Sequence, residues 1–338
     1  MSYMTSESQL AVVYSSNDQG FVQLGVAIHS LVETAPSNKS YRIYVLSDGI
    51  SENHKAAIQQ VVESSQAGHR LRFIEVSAVL ADHHFPINPA WPAAAWARIF
   101  IPDLLPDEHR VLYCDIDTLI CRPLTELENL DMQGMALGVV LENISQVNSH
   151  FNERLSIPLD CPGYFNSGVL LMDLDAFRRE GLVQRILDYA GKFREQLICP
   201  DQDALNGALC NHLIRLHSRW NWHDGLTRSL LKPGASRLRL RGTSLKEELE
   251  AALEPGILHY QGAHKPWNYN WRIEGPRYEA ALRGSRLGSL PLPGRTFTKI
   301  IKKRLHQPVY ALTWWRIRRL DALLCKKAAA IPPHSTSI

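Results

Sequence analysis

The stretch Arg110-Val-Leu-Tyr-Cys-Asp-Ile-Asp117 decides how this chain folds. An apolar run that ends abruptly in carboxylates reads as a buried strand delivering Asp115 and Asp117 to a ligand at its carboxyl end. Side chains i and i+2 of a strand point the same way, so both carboxylates are expected to face one direction. Held in parallel they repel each other unless a cation stands between them, and such an oxygen-rich pair suits Mg²⁺ or Mn²⁺. The competing reading of the same residues is a solvated turn at a strand end.

Outward from this stretch the pattern alternates. Leu10–Tyr14, Tyr41–Leu46 and Leu71–Val76 read as strands, separated by helix-patterned Phe21–Glu33, Glu52–Glu63 and Ala93–Leu105. Phe21–Glu33 places Leu24, Ala27, Ile28 and Leu31 at helical spacing. Downstream, Met135–Leu141, Gly168–Leu174 and Ile257–Tyr260 read as strands, Ala176–Phe193 and Asp203–Cys210 as helices, and Asn221–Ser244 as loops with short strands. Strands alternating with helices predict an α/β domain with a mostly parallel central sheet and ligands beyond the strands' carboxyl ends. The first strand runs into Tyr14-Ser-Ser-Asn-Asp-Gln-Gly20, without the G-x-G-x-x-G of dinucleotide dehydrogenases. No G-x-x-x-x-G-K-[ST] occurs either, which excludes a P-loop NTPase.

At 338 residues the chain holds one large domain or two ordinary ones. Lys plus Arg (37) nearly balance Asp plus Glu (34), for a net charge of +3. That balance, with 45% hydrophobic residues, excludes a disordered chain and a general nucleic-acid binder. The charge is unevenly spread. From Arg295 onward ten Lys/Arg oppose Asp321 alone, net +9, which leaves −6 on the rest. Pro291–Gly294 marks the expected boundary between a domain over 1–290 and a basic tail over 291–338. Six cysteines form no C-x-x-C and no zinc-finger spacing, so reduced, mostly buried thiols are expected. The first ten residues lack a basic and an apolar region, and no stretch reaches ~18 apolar residues, so a cytoplasmic protein is expected.

Three more constellations carry chemistry. Cys161-Pro-Gly-Tyr-Phe-Asn-Ser-Gly168 leads into an apolar strand, and its Asn166 both donates and accepts, which suits a sugar hydroxyl. Pro200-Asp-Gln-Asp203 opens a helix: Asp201 is either its cap or, with Gln202, a pair that orients a polar ligand. His259-Tyr-Gln-Gly-Ala-His-Lys-Pro-Trp267 combines an imidazole at a strand end, a glycine turn and a lysine suited to phosphate. Together these describe one site, with Asp115, Asp117 and His259 for a divalent metal, Lys265 for a diphosphate and amide or carboxyl groups for hydroxyls.

In order and wording these motifs resemble glycosyltransferase family 8, the retaining, metal-dependent GT-A enzymes, and most of all bacterial lipopolysaccharide galactosyl- and glucosyltransferases. The matching stretches are Tyr44–Ser51, Trp96–Ile99, Val111–Asp117, Tyr164–Leu171, Asp201–Gly207 and His259–Trp267. The resemblance implies a GT-A (Rossmann-like) fold and transfer of galactose or glucose from a UDP-sugar to a saccharide or lipid-linked glycan acceptor. It matches Asp115, Asp117 and His259 to manganese ligands, with Mg²⁺ as the other candidate ion. It places Ser15, Asn17, Gln19, Arg98, Ile116, Glu142, Asn166, Ser167, Gly262 and Lys265 around the nucleotide sugar. Catalytic roles fall to Gln202, Asp201 and Lys265, with Gln202 on the sugar face opposite the leaving group and Lys265 on the departing UDP. Asn17 and Gln19 depart from the Asp and the Asn or His usual in the family, and Glu142 stands for a usual Asp. Both a covalent glycosyl-enzyme and same-face attack remain open, although the Gln202 carboxamide is a poor nucleophile.

In the tail, Tyr310, Trp314, Ile317, Leu320 and Leu324 share one face of a helix, with Arg316, Arg318, Arg319, Lys326 and Lys327 around it. Trp and Leu among basic residues predict an interfacial helix drawn to an anionic membrane surface, where a lipid-linked acceptor would lie. The alternative is a helix packed on the body. Competing activities are a nucleotide-sugar-forming nucleotidyltransferase, whose Gly-rich basic loop is absent, and a catalytically silent UDP-sugar-binding protein.

Overall fold

Strands β1 (Ala11–Asn17), β2 (Arg42–Asp48), β3 (Arg70–Glu75) and β4 (Arg110–Cys114) form a parallel half-sheet in the order β3-β2-β1-β4. The computed structural model describes residues 10–65, 67–83, 85, 93–142, 151–158, 161–223, 226, 230, 243–262, 265–268, 272–289, 308, 309 and 311–322. After β4 come β5 (Thr118–Ile120), β6 (Leu137–Leu141), β7 (Phe165–Asp173), β8 (Leu213–Arg215) and β9 (Ile257–His259). The main sheet runs β3-β2-β1-β4-β7-β6-β8, and β5 pairs with β9 in a separate ribbon. β7 is antiparallel to both β4 and β6, while β6 and β8 are parallel. The sheet is therefore mostly parallel, as the alternation of elements predicts.

Both faces of this sheet are buried, which is why its central strands carry runs of successive apolar residues (Ala11–Tyr14, Val111–Cys114 and Val169–Met172) rather than apolar residues at alternate positions. Val12, Tyr14, Leu112, Cys114, Val169 and Leu171 face one core, which helix Phe21–Glu33 covers with Leu24, Ile28 and Leu31. Val13, Val111, Tyr113, Leu170 and Met172 face the other, against Trp96, Ile99 and Phe100 and the helices Leu182–Lys192 and Pro200–Leu209. Leu170 is fully buried; cutting it to alanine should cost about 2–5 kcal/mol.

The structure corrects several expected elements. Ala93–Leu105 is a 3₁₀ segment, Ala93–Phe100, followed by the short helix Ile101–Leu104. Ala176–Phe193 is split into Leu174–Arg179 and Leu182–Lys192, because Gly181 adopts φ +61° between them. The helix expected from Asp203 begins at Pro200, which needs no amide hydrogen there. Most of Asn221–Ser244 lies outside the described residues. Cys161 and Cys210 are joined in a disulfide, against the expectation of six reduced thiols. Their 49-residue separation carries no spacing signal; the fold closes it by setting the end of helix Pro200–Leu209 beside the segment entering β7.

Part of the tail is also placed. Residues 311–322 are helical. Ile317 is fully buried in the first core, with Trp314 and Leu320 packed against it, so the face read as membrane-directed rests on the body. Tyr310 and Leu324 lie outside the described side chains. The outward side carries Val309, Leu312 and Trp315, at 44%, 48% and 54% exposure.

Candidate active site

The reversal of direction between β4 and β7 builds the site. The carboxyl end of β4 meets the amino end of β7, where Asp115 N–H donates to Gly168 O at 2.8 Å. The chain then turns: Thr118 N–H and Oγ1 both return to Asp115 O, at 3.2 and 2.7 Å. Asp115 and Asp117 thus converge through a turn and not through strand pleating, although the expected result holds. His259 arrives through the β5–β9 ribbon, in which Thr118 opposes His259 and Tyr260 N–H donates to Asp117 O at 2.9 Å.

Ligand atoms of Asp115, Asp117 and His259 all lie within 4.8 Å of one another. His259 Nε2 is 3.1 Å from Asp117 Oδ1 and 3.9 Å from Asp115 Oδ2. Their remaining atoms are engaged elsewhere. Asp115 Oδ1 accepts from Tyr113 OH at 2.8 Å and pairs with Arg98 Nη2 at 3.0 Å. Asp117 Oδ2 takes the Lys265 ammonium. His259 Nδ1 is 2.9 Å from Asn221 Oδ1. One atom of each residue is left facing the common centre, a donor set of two carboxylates and an imidazole that fits Mn²⁺ or Mg²⁺. Space is kept by Gly168, where a Cβ would stand 2.2 Å from His259 Cε1 and 2.6 Å from Asp115 Oδ2. Burial alone would raise the Asp117 carboxyl, but His259 and Lys265 overcome it and hold it well below the usual range.

Arg98 is the buried cation of the site. Its Nη1 donates to Ser167 O at 2.7 Å and Oγ at 3.0 Å, its Nε to Ala95 O at 2.8 Å, and its Nε lies 3.4 Å from Asp201 Oδ2. The guanidinium also lies 4.6 Å over the Tyr113 ring. Burial works against its charge, yet Asp115, Tyr113 and Asp201 more than compensate and push it further up. Burial raises the Asp201 carboxyl, and Arg98 offsets only part of this.

The carboxamides are oriented by backbone amides. Gln202 Oε1 accepts from Ser167 N–H and Asn166 Nδ2, each at 3.0 Å, and its Nε2 donates to Tyr164 OH at 3.0 Å and Glu142 Oε2 at 3.4 Å. The helix-opening role considered for Asp201 belongs to Asp203, whose Oδ2 accepts from Ile198 N–H and Cys199 N–H at 2.7 and 3.1 Å.

These groups line one cleft of about 870 Å³. Ser15, Asn17, Arg98, Asp115, Ile116, Asp117, Glu142, Asn166, Ser167, Asp201, Gln202, His259, Gly262 and Lys265 all reach it. Gln19 does not: strand alternation stops at Asn17, and Gln19 is exposed on the 3₁₀ turn Asp18–Gly20.

A family model for glycosyl transferase family 8 matches residues 11–271. The chain belongs to this family. Among curated relatives, General stress protein A of Bacillus subtilis is 27% identical over 85% of this chain and 98% of its own length. Lipopolysaccharide 1,2-glucosyltransferase of Escherichia coli K12 is 27% identical over 83% of this chain and 79% of its own. The crystal structure of galactosyltransferase LgtC with donor and acceptor sugar analogs superposes with a TM-score of 0.69. It shares 25% identity, covering 83% of this chain and 96% of that one. The chain is thus a glycosyltransferase of GT-A fold.

Within this family-8 cleft the structure adds residues that the sequence reading passed over. Tyr113, His223, Trp267 and Arg272 line it, and Asn221 stands behind His259. Tyr113 had a signal, because it lies two residues before Asp115 near the carboxyl end of β4. Asn221 had none, lying at the edge of a stretch without periodicity.

Proposed function

We propose that this chain is a retaining, metal-dependent hexosyltransferase that moves galactose or glucose from a UDP-sugar to a saccharide of lipopolysaccharide core or a related bacterial glycan. The observation that carries the reading is the convergence of Asp115, Asp117 and His259 in the cleft that also holds Lys265 and Gln202. A divalent ion held by these three residues, Mn²⁺ or Mg²⁺, would neutralise the donor diphosphate and act on it as a Lewis acid.

The protein's own groups do the rest. Lys265, braced by its bond to Tyr260 O at 2.8 Å, is the point charge that stabilises the departing UDP. Ser15, Asn17 and Ile116 receive the nucleoside. Arg98 holds Asp115, Ser167 and Asp201 in register and never loses its proton. Asn166, Glu142 and Asp201 offer hydrogen bonds to sugar hydroxyls. Gln202 presents its carboxamide to the sugar face opposite the leaving group, where it supports an oxocarbenium-like transition state.

The tail over 291–338 serves as a membrane-surface attachment to the domain over 1–290. Supporting this are Leu312 and Trp315, exposed on one side of the helix over 311–322 beside Arg316 and Arg319, with Val309 also exposed and Arg319 lying 5.3 Å over the Trp315 ring. No helix among the described residues is long and apolar enough to cross a membrane. A place on the cytoplasmic face of the inner membrane accords with a lipid-linked acceptor.

The test is UDP release from a panel of nucleotide sugars without acceptor, in Mn²⁺ and in EDTA. Metal-dependent release from UDP-galactose or UDP-glucose is the expected result. Silence across the panel, with no calorimetric binding of UDP, would overturn the reading.

A further inference from the structure

The polarity of the site can be traced from one backbone amide to the metal ligands. Gly168 N–H can only donate, so the Asn166 atom 2.9 Å away is its oxygen, Oδ1. The same Oδ1 lies 3.0 Å from an Asn221 side-chain atom, which must therefore be the donor Nδ2. Asn221 then turns its Oδ1 to His259 Nδ1, at 2.9 Å. An acceptor there fixes the imidazole proton on Nδ1 and leaves the lone pair of Nε2 facing Asp115 and Asp117. Gln261 Nε2, 3.4 Å from the same ring nitrogen, is a donor and does not compete for that proton. Asn166, with its oxygen committed, gives its Nδ2 to Gln202 Oε1 at 3.0 Å.

We infer that Asn221 is a positioning residue with two duties. It sets the tautomer of His259 for metal ligation, and it locks Asn166 and hence Gln202 on the sugar side. Asn221 is itself buried, at 1% exposure. It follows β8 in the 3₁₀ segment Ser218–Asn221, and Trp222 beyond it accepts from His259 N–H at 2.7 Å, so the backbone keeps residue 221 beside the imidazole. The metal and the sugar are thereby recognised through one shared carboxamide. The inference rests on the metal-dependent reading above.

The two duties separate chemically, because aspartate can accept from His259 but cannot donate to Asn166. The experiment is calorimetric titration of Mn²⁺ into the full chain without nucleotide, for wild type, Asn221→Ala and Asn221→Asp. A second titration uses UDP, UDP-galactose and UDP-glucose at saturating Mn²⁺. Asn221→Ala should weaken Mn²⁺ binding about 10–100-fold. Asn221→Asp should bind Mn²⁺ at least as tightly as wild type and keep its affinity for UDP. It should lose about tenfold in affinity for whichever UDP-hexose the wild type prefers over UDP. Wild type that binds no Mn²⁺ would sink the metal-dependent reading, and this inference with it. Wild type that binds Mn²⁺ while Asn221→Ala binds it equally would overturn the inference alone. So would an Asn221→Asp variant that loses Mn²⁺ like the alanine variant, a packing effect, or one that keeps full affinity for the UDP-hexose.

Discussion

Arg98 Nη2 stands 3.0 Å from Asp115 Oδ1, in a pair whose arginine side chain is only 5% exposed. A buried cation of this kind is held by everything around it, and removing it strands two acids. Arg98→Met should destabilise the fold by about 3–5 kcal/mol, because Asp115 and Asp201 would lose their compensating charge. Urea unfolding measures this, and a loss below about 1 kcal/mol would mean that solvent reaches the pair.

Gly168→Ala is expected to fold and to bind Mn²⁺ at least about tenfold more weakly than wild type, since the new methyl would enter the space between His259 and Asp115. Titration of the apoprotein with Mn²⁺ checks it. Unchanged affinity would place the ion elsewhere.

Cys199 lines the cleft, yet its thiol is pushed up to about 12 by burial and by the charges of Asp203, Asp201 and Glu142. A raised thiol stays protonated at neutral pH, so little thiolate is present to react. Iodoacetamide at about pH 8 should modify Cys199 roughly a thousandfold more slowly in the native chain than in urea. Mass spectrometry of the labelled peptide reads the rate directly.

Asp117 gives a pH dependence of definite sign. Its native carboxyl is held below the ordinary value, so its ionised form contributes stability above the unfolded pKa. That contribution is lost as pH falls through the lowered native value. The stability gap between wild type and Asp117→Asn should therefore be widest above about pH 5 and close as the solution is acidified towards about pH 2. A gap that widened with acid would reverse the assignment of His259 and Lys265 as its partners.

For the tail, Leu312→Ser with Trp315→Ser should reduce binding to anionic phospholipid vesicles by tenfold or more, and truncation before Arg295 should do the same. Both residues are exposed, so the fold should be unaffected. The measurement is vesicle co-sedimentation at low salt; equal binding by all three proteins would remove the membrane role.

Much of this architecture was legible because two-sided burial leaves a plain mark. β1, β4 and β7 each hold a run of four successive apolar residues, Ala11–Tyr14, Val111–Cys114 and Val169–Met172, and the carboxylates begin where β4 stops. Several residues of the cleft were legible for a related reason: Asp115 and Asp117 follow β4, Glu142 follows β6, and Asp201 and Gln202 open a helix, where side chains gather beside a ligand. Three kinds of feature stayed hidden. Helix boundaries at Ala93 and Gly181 depend on local backbone geometry, which periodicity does not report. Gln19 stands outside the cleft because a 3₁₀ turn breaks strand alternation there. Asn221 and the Cys161–Cys210 bond are long-range consequences of the fold, with nothing in their neighbouring residues to announce them.

The Cys161–Cys210 bond turns the chain between them into a closed ring. Both β7 and the helix Pro200–Leu209 lie inside it, and with them Asn166, Ser167, Asp201 and Gln202. Closing a loop of this size removes about 4 kcal/mol of freedom from the unfolded chain. The groups assigned to the sugar, Glu142 excepted, thus belong to one covalent cycle, while Asp115, Asp117 and His259 stand outside it. Opening the ring by reduction should loosen sugar recognition before it loosens the ion.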